Sequence, residues 1–149
     1  MSNRIEDLTP ECQATFAEFK AKLDADQIPF AVVFTLRSTA EQVALYTQGR
    51  KPLDVVNSYR QVAGLPPTQE TAIVTQCDGV TKKSNHQTGN AFDLTFADEN
   101  GNAIWPSDPV RWLALGGIAE SVGLVWGGRW TPLDANGLGW DIDHFEMPV

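Results

Sequence analysis

Histidine and cysteine are scarce in this chain, with two of each among 149 residues. Cys12 and Cys77 lie far apart and form no CxxC pair, which argues against a disulfide framework and leaves Cys77 without a partner thiolate for zinc. Two reduced thiols are expected. Positive charge is thin as well: 11 Lys and Arg stand against 19 Asp and Glu, a net charge of −8, with no basic run. Nucleic acid is therefore not expected as a partner, because phosphate binding needs clustered Lys and Arg. No apolar run approaches the roughly 18 residues of a membrane helix, so no membrane insertion is expected. Met1 to Asp7 lacks the apolar stretch of a signal peptide, and synthesis in a cytosol is the expectation. Internal repeats, low-complexity tracts and linkers are missing.

What is present is enough to build a core. The chain is 42% hydrophobic, with five Trp and seven Phe. A domain of about 150 residues buries roughly 68–70% of its unfolded surface, so no disulfide staple is needed. One domain over residues 1–149, acting as a monomer, is the simplest reading.

Local signals place the elements. Thr9-Pro10-Glu11 is a helix start, Thr9 capping and Pro10 at the first helical position. Phe16, Phe19 and Leu23 give the stripe of an amphipathic helix ending near Asp26. Phe30 to Leu36 reads as a buried strand. Ser38-Thr39-Ala40-Glu41 is a capping box that opens a helix through about Thr47, closed by Gly49. Residues 50–83 are the least regular part, with a short helix over Asp54 to Val62; a loop this long is usually functional, and this one leads straight into His86. Ala91 to Phe96 alternates as a strand, followed by an Asn100-Gly101 turn. Ser107-Asp108-Pro109 starts a helix to about Val122. Leu124 to Trp126 and Asp143 to Met147 are the last strands, with a glycine-rich loop between them. Helices and strands mix without βαβ regularity, which favours an α+β fold with a small antiparallel sheet flanked by helices.

Both histidines sit in dense polar clusters: Ser84-Asn85-His86-Gln87-Thr88-Gly89-Asn90-Ala91-Phe92-Asp93, and Trp140-Asp141-Ile142-Asp143-His144-Phe145-Glu146. Imidazole with carboxylate suits Zn²⁺, whose catalytic sites use three protein ligands and an open position. His86, Asp93 and His144 supply three, leaving Asp141 or Glu146 as base. On one continuous strand the seven-residue spacing of His86 and Asp93 would put them on opposite faces; Gly89 offers the bend that returns both to one point. His144 and Glu146 share a strand face, so Glu146 competes as ligand, base or partner of a ligand. Trp130 and Trp140 flank the glycine loop as candidate groove walls, and Asp134-Ala135-Asn136-Gly137 is a plain turn, since it lacks the spacing of a calcium loop. Lys82 and Lys83 read as solvated charges beside the site.

The strings Ser84-x-His86-x-x-Gly89-x-Ala91-x-Asp93 and Asp141-x-x-His144-x-Glu146 resemble the zinc peptidases of the D-alanyl-D-alanine carboxypeptidase type, a group that includes VanY-like carboxypeptidases and L-alanyl-D-glutamate endopeptidase endolysins of phages. Upstream, Leu36-Arg37-Ser38-Thr39-Ala40-Glu41-Gln42 and Leu45-Tyr46-Thr47-Gln48-Gly49-Arg50 extend the likeness over most of the chain. Thr35-Leu36 stands where the family often has Gly-Tyr or Gly-Phe, and the stretch between Arg50 and Val74 is longer than in compact endolysins.

The resemblance implies a Hedgehog/DD-peptidase type of fold and His86, Asp93 and His144 as ligands of Zn²⁺. It implies Asp141 as the catalytic carboxylate, Arg37 as a cation facing substrate or the developing oxyanion, and Gln42 and Ser84 as site-lining, substrate-binding residues. The expected activity is zinc-dependent hydrolysis of peptidoglycan stem peptides. The favoured subtype is a phage endolysin cutting the L-alanyl-D-glutamate bond, made in the host cytoplasm and released to the wall at lysis, with no separate wall-binding domain. A bacterial D-alanyl-D-alanine carboxypeptidase is the close alternative; a non-catalytic zinc-containing binding domain is the alternative from another class, and it predicts a missing catalytic carboxylate.

Overall fold

The computed structural model describes residues 1–149. Four helices and five short strands make the fold. Helix α1 spans Pro10–Ala25, with the Thr9 hydroxyl accepting from the Cys12 N–H at its start. Strand β1 is Phe30–Phe34. Helix α2, Thr39–Thr47, opens on the Ser38–Glu41 capping box, both arms of which form. Helix α3 is Leu53–Val62. Strand β2, Ala91–Ala97, pairs with the two-residue β3, Ala103–Ile104. Helix α4 spans Pro109–Ser121 behind an Asp108 cap, and β4 (Val125–Trp126) and β5 (His144–Glu146) complete the set.

The strands form one antiparallel sheet in the order β1-β2-β5-β4, with β3 on β2. The alternation in β2 explains its central place. Phe92, Leu94 and Phe96 are all buried and point to one face. There they meet Phe16 and Phe19 of α1, Phe145 of β5 and Trp112 of α4. Successive strand residues point to opposite faces, so Asp93, between Phe92 and Leu94, faces away from this core.

Two expectations need adjustment. The strand expected from Phe30 to Leu36 stops at Phe34 and is only half-buried throughout, because β1 is the sheet edge rather than its interior. The glycine-rich loop after β4 contains one 3₁₀ turn, Gly127–Arg129. The irregular stretch after α3 is an extended strap laid along α2: Gln42 Nε2 donates to the Cys77 carbonyl at 2.8 Å and to Thr75 Oγ1 at 3.0 Å, and Gln48 Nε2 donates to the Ala72 carbonyl at 2.9 Å. Arg50, stacked on Tyr46, donates to the Thr75 carbonyl at 2.9 Å. The strap is therefore fixed by side chains of α2 rather than by a sheet ladder, a pattern that periodicity cannot reveal.

Candidate metal centre and its cleft

His86 lies in a 3₁₀ turn, Asn85–Thr88, capped by the Ser84 hydroxyl. The turn ends on Gly89 at φ +73, a left-handed conformation that favours glycine, and there the chain turns into β2. His86 and Asp93 thus leave different elements and meet. His144 arrives from β5, where it is the direct cross-strand partner of Asp93. Three donor atoms converge: His86 Nε2 to Asp93 Oδ1, His86 Nε2 to His144 Nδ1, and His144 Nδ1 to Asp93 Oδ1 are each 3.1 Å.

The outer nitrogens decide what those atoms present. His86 Nδ1 lies 2.7 Å from the Thr35 carbonyl, which can only accept, so Nδ1 carries the proton and Nε2 offers a lone pair inward. His144 Nε2 lies 2.8 Å from Glu146 Oε2, so its neutral form holds the proton on Nε2 and likewise turns a lone pair inward from Nδ1. Two imidazole lone pairs and a carboxylate oxygen pointed at one place repel one another unless a cation stands among them. Atoms bound tetrahedrally to one zinc at about 2.0–2.1 Å lie roughly 3.3–3.4 Å apart, close to the observed triangle. The donor set therefore fits Zn²⁺ in type, number and spacing. Glu146, a three-way candidate from sequence, lies outside the donor triangle against the outer nitrogen of His144, where a carboxylate can orient that ring.

Without a cation, protons settle the balance. Burial opposes a charge on His144, but hydrogen bonds to Asp93 and Glu146 outweigh it and raise its pKa to about 10. Burial likewise opposes ionisation of Asp93, and the two imidazoles overcome it and hold its carboxyl far below the ordinary range.

Asp141 lines the same cleft, of about 470 Å³, with Arg37, Ser84, Trp130 and Trp140. Burial pushes its carboxyl up to about 7; His144 and Arg37 pull against that rise, and Asp93 and Asp143 add to it. The bend that Asp141 requires is a turn in which the Asp141 carbonyl accepts from the His144 N–H at 3.3 Å. Gly127 makes room for it, since a Cβ there would sit 2.2 Å from the Asp141 carbonyl oxygen. Arg37 pairs with no carboxylate. Its Nη1 donates to Gln42 Oε1 at 2.9 Å, and burial lowers its pKa while Asp93 and Asp141 raise it. Gln42 is fully buried and holds Arg37 on one side and the strap on the other. It is absent from the cleft lining and reaches the cleft through its hydrogen bond to Arg37.

Cys77 lies on the cleft wall, outside the donor triangle, and both cysteines are free. Trp130 packs on His144 with ring centroids 5.0 Å apart and on Trp140 at 5.3 Å, and Trp140 is half exposed, so both tryptophans border the groove. Asp134 caps its own turn through the Asn136 and Leu138 N–H groups. Two contributors escaped the sequence reading. Thr35 acts through its carbonyl, which every residue type offers, so its identity carried no signal. Gly127 had one, since adjacent glycines mark places where backbones approach closely.

Known proteins resemble this chain over the region of the cleft. The model of a family described as D-alanyl-D-alanine carboxypeptidase matches residues 78–147, which hold the ligand triangle and Asp141. The peptidoglycan L-alanyl-D-glutamate endopeptidase CwlK of Bacillus subtilis (strain 168) is 28% identical over 148 residues, 95% of this chain and 74% of that protein. Among solved structures, the Serratia marcescens L-Ala D-Glu endopeptidase ChiX superposes with a TM-score of 0.54 at 18% identity, over 97% of this chain and 83% of that one. The vancomycin resistance D,D-pentapeptidase VanY, crystallised with Zn(II), gives 0.55 at 17% identity, over 94% and 72%.

Proposed function

We propose that this chain, which belongs to the VanY-like zinc peptidase family, hydrolyses the L-alanyl-D-glutamate bond of peptidoglycan stem peptides. The observation that carries the reading is the inward-facing donor triangle with a free carboxylate, Asp141, and an unpaired guanidinium, Arg37, in one cleft. The endopeptidase subtype is favoured over the carboxypeptidase because two of the similar proteins, CwlK and ChiX, carry that specificity in their names. A non-catalytic zinc domain has no use for Asp141 held beside the centre by the Gly127 contact.

His86 Nε2, His144 Nδ1 and Asp93 Oδ1 would hold Zn²⁺. The ion would supply Lewis acidity, lowering the pKa of water in its open position to about 7. Asp141 is the general base: its carboxylate takes a proton from the attacking water as the water oxygen adds to the alanyl carbonyl carbon. The same proton passes to the glutamyl nitrogen as the C–N bond breaks, so base becomes acid within one turnover. Arg37 faces the carbonyl oxygen as it gains charge, a contribution of roughly 3–4 kcal/mol for a well-placed donor. Trp130, packed on His144, keeps bulk water from the ligand ring.

Mass spectrometry of muropeptides after digestion tests the bond. A new free amino terminus on D-Glu is expected; release of D-Ala instead would move the assignment to carboxypeptidase. The lytic role as a phage endolysin, a single-domain monomer acting on the wall, is the finer reading. Periplasmic delivery behind an added leader is expected to lyse Gram-negative cells, and Asp141→Asn delivered the same way is not.

A further inference from the structure

The two walls of the cleft differ in chemistry. On the β1 side the strap leads into residues 78–83, which form a braced turn. Asp78 Oδ1 accepts from the Val80, Thr81 and Lys82 N–H groups at 2.8, 2.8 and 2.9 Å, and the Gly79 N–H donates to the Lys82 carbonyl at 3.1 Å. Gln87 Nε2 ties the turn down through the Gly79 carbonyl at 2.9 Å. Gly79 itself packs on Gln42 of α2 so closely that a Cβ would lie 2.9 Å from Gln42 Cγ. This turn presents Lys82 and Lys83 to the cleft, where both line the opening and neither ammonium is paired with a carboxylate. In a chain of net charge −8, two adjacent unpaired lysines on a rigid turn at the cleft mouth oppose the sign of the whole molecule. On the other side, beyond β5 and next to β4, the wall is Trp130 and Trp140, which bring apolar rings and no cation beside Asp141.

We propose that Lys82 and Lys83 form a carboxylate-reading subsite that takes the leaving-group half of the substrate and so fixes its direction across the cleft. This deepens the endopeptidase reading and rests on it. The two halves of a stem peptide cut at L-Ala-D-Glu differ as the walls do. The acyl half carries only a methyl side chain, whereas the leaving half carries the α-carboxylate of D-Glu and further carboxylates beyond it. The anionic half belongs on the lysine side and the uncharged half against the tryptophans. Electrostatic complementarity of this kind sets orientation and encounter more than raw affinity.

The test compares an N-acylated L-Ala-γ-D-Glu-containing tripeptide with two amidated forms, one at the D-Glu α-carboxyl and one at the C-terminus. Exposed ion pairs are individually weak, so the acid is expected to exceed the amide by about fivefold in kcat/KM, carried by KM. In the Lys82→Ala/Lys83→Ala double variant that ratio should fall to about one, and Lys82→Arg/Lys83→Arg should restore it. Whichever amidation loses the preference identifies the carboxylate that is read. Binding of the acid and the α-amide to metal-free protein, followed by tryptophan fluorescence, should show the same lysine-dependent ratio without turnover. Cleavage at the Ala–Glu bond with an acid-to-amide ratio that the double variant leaves intact overturns the subsite alone. No cleavage at that bond by the metal-loaded wild type overturns the endopeptidase reading, and this one with it.

Discussion

Asp93 and His144 are direct cross-strand partners on β2 and β5, and their Oδ1 and Nδ1 atoms lie 3.1 Å apart on the face turned away from the core. Two of the three proposed ligands are thus fixed by sheet register, and the third by the Gly89 turn. A slip of one residue in that pairing would send His144 into the hydrophobic face. Metal and fold are therefore coupled, and an ion that binds only the native state stabilises it by mass action. At a free zinc concentration of 100 times Kd the gain is about 2.7 kcal/mol, or roughly 5–11 °C for a chain of this size. Calorimetric scans with zinc and with chelator should show that difference. His86→Ala should abolish it, and equal melting temperatures for wild type under both conditions would remove the case for a tightly held ion.

The proposed mechanism gives Glu146 and Asp141 separable jobs, and their substitutions should fail differently. Glu146 lies against the outer nitrogen of His144 at 2.8 Å. Removing such a partner costs about 10–100-fold in metal affinity. Glu146→Ala should therefore lose zinc more readily and regain much of its activity when excess zinc is supplied. Asp141→Asn should hold zinc as well as wild type does and lose turnover by about 10²–10⁴-fold, the usual worth of a general base. Metal titration and kcat measured on both variants would expose a reversal of these roles.

The carboxyl of Asp141, raised by burial to about 7 in the metal-free protein, gives stability a pH dependence of definite sign. Its unfolded value is near 3.8, so the native state binds the extra proton between about pH 4 and pH 7. Metal-free protein should lose stability as pH rises through that window, by up to about 4 kcal/mol from this group. Asp141→Asn removes the titration. The difference in melting temperature between wild type and Asp141→Asn, both without metal, should widen from pH 5 to pH 8 in favour of the variant. Parallel curves would mean that the carboxyl is not desolvated.

The helix caps at Thr9, Ser38 and Asp108 and the alternation in β2 were readable because each depends on a few neighbouring residues. The convergence of His86, Asp93 and His144 was readable because only two histidines exist and each carries its polar cluster. What escaped depends on contacts distant in sequence. The strap hangs on Gln42 and Gln48, whose partners lie 24 to 35 positions downstream. The edge position of β1 follows from sheet order, which its apolar run does not encode. The tautomer of His86 is set by a main-chain carbonyl 51 residues away that leaves no mark on residue type.

The packing of α4 on β4 offers a check on the fold apart from the chemistry. Gly116 lies in the middle of α4, where glycine costs up to about 1 kcal/mol relative to alanine. On propensity alone, Gly116→Ala should stabilise the helix. The neighbour reverses that sign: a Cβ on Gly116 would come within 2.1–2.4 Å of the Trp126 indole, which is itself buried and anchored by its Nε1 donating to the Ile142 carbonyl at 2.7 Å. The indole cannot retreat without breaking that bond next to the Asp141 turn. Overpacking of this kind costs about 1–3 kcal/mol, enough to outweigh the propensity gain. Gly117, one position on, meets nothing within 4 Å and serves as the control. Denaturant unfolding should find Gly116→Ala destabilised, with weakened activity from the displaced 141–144 turn, and Gly117→Ala neutral or slightly stabilised. Two variants of equal stability would show that α4 does not rest on Trp126 in this way.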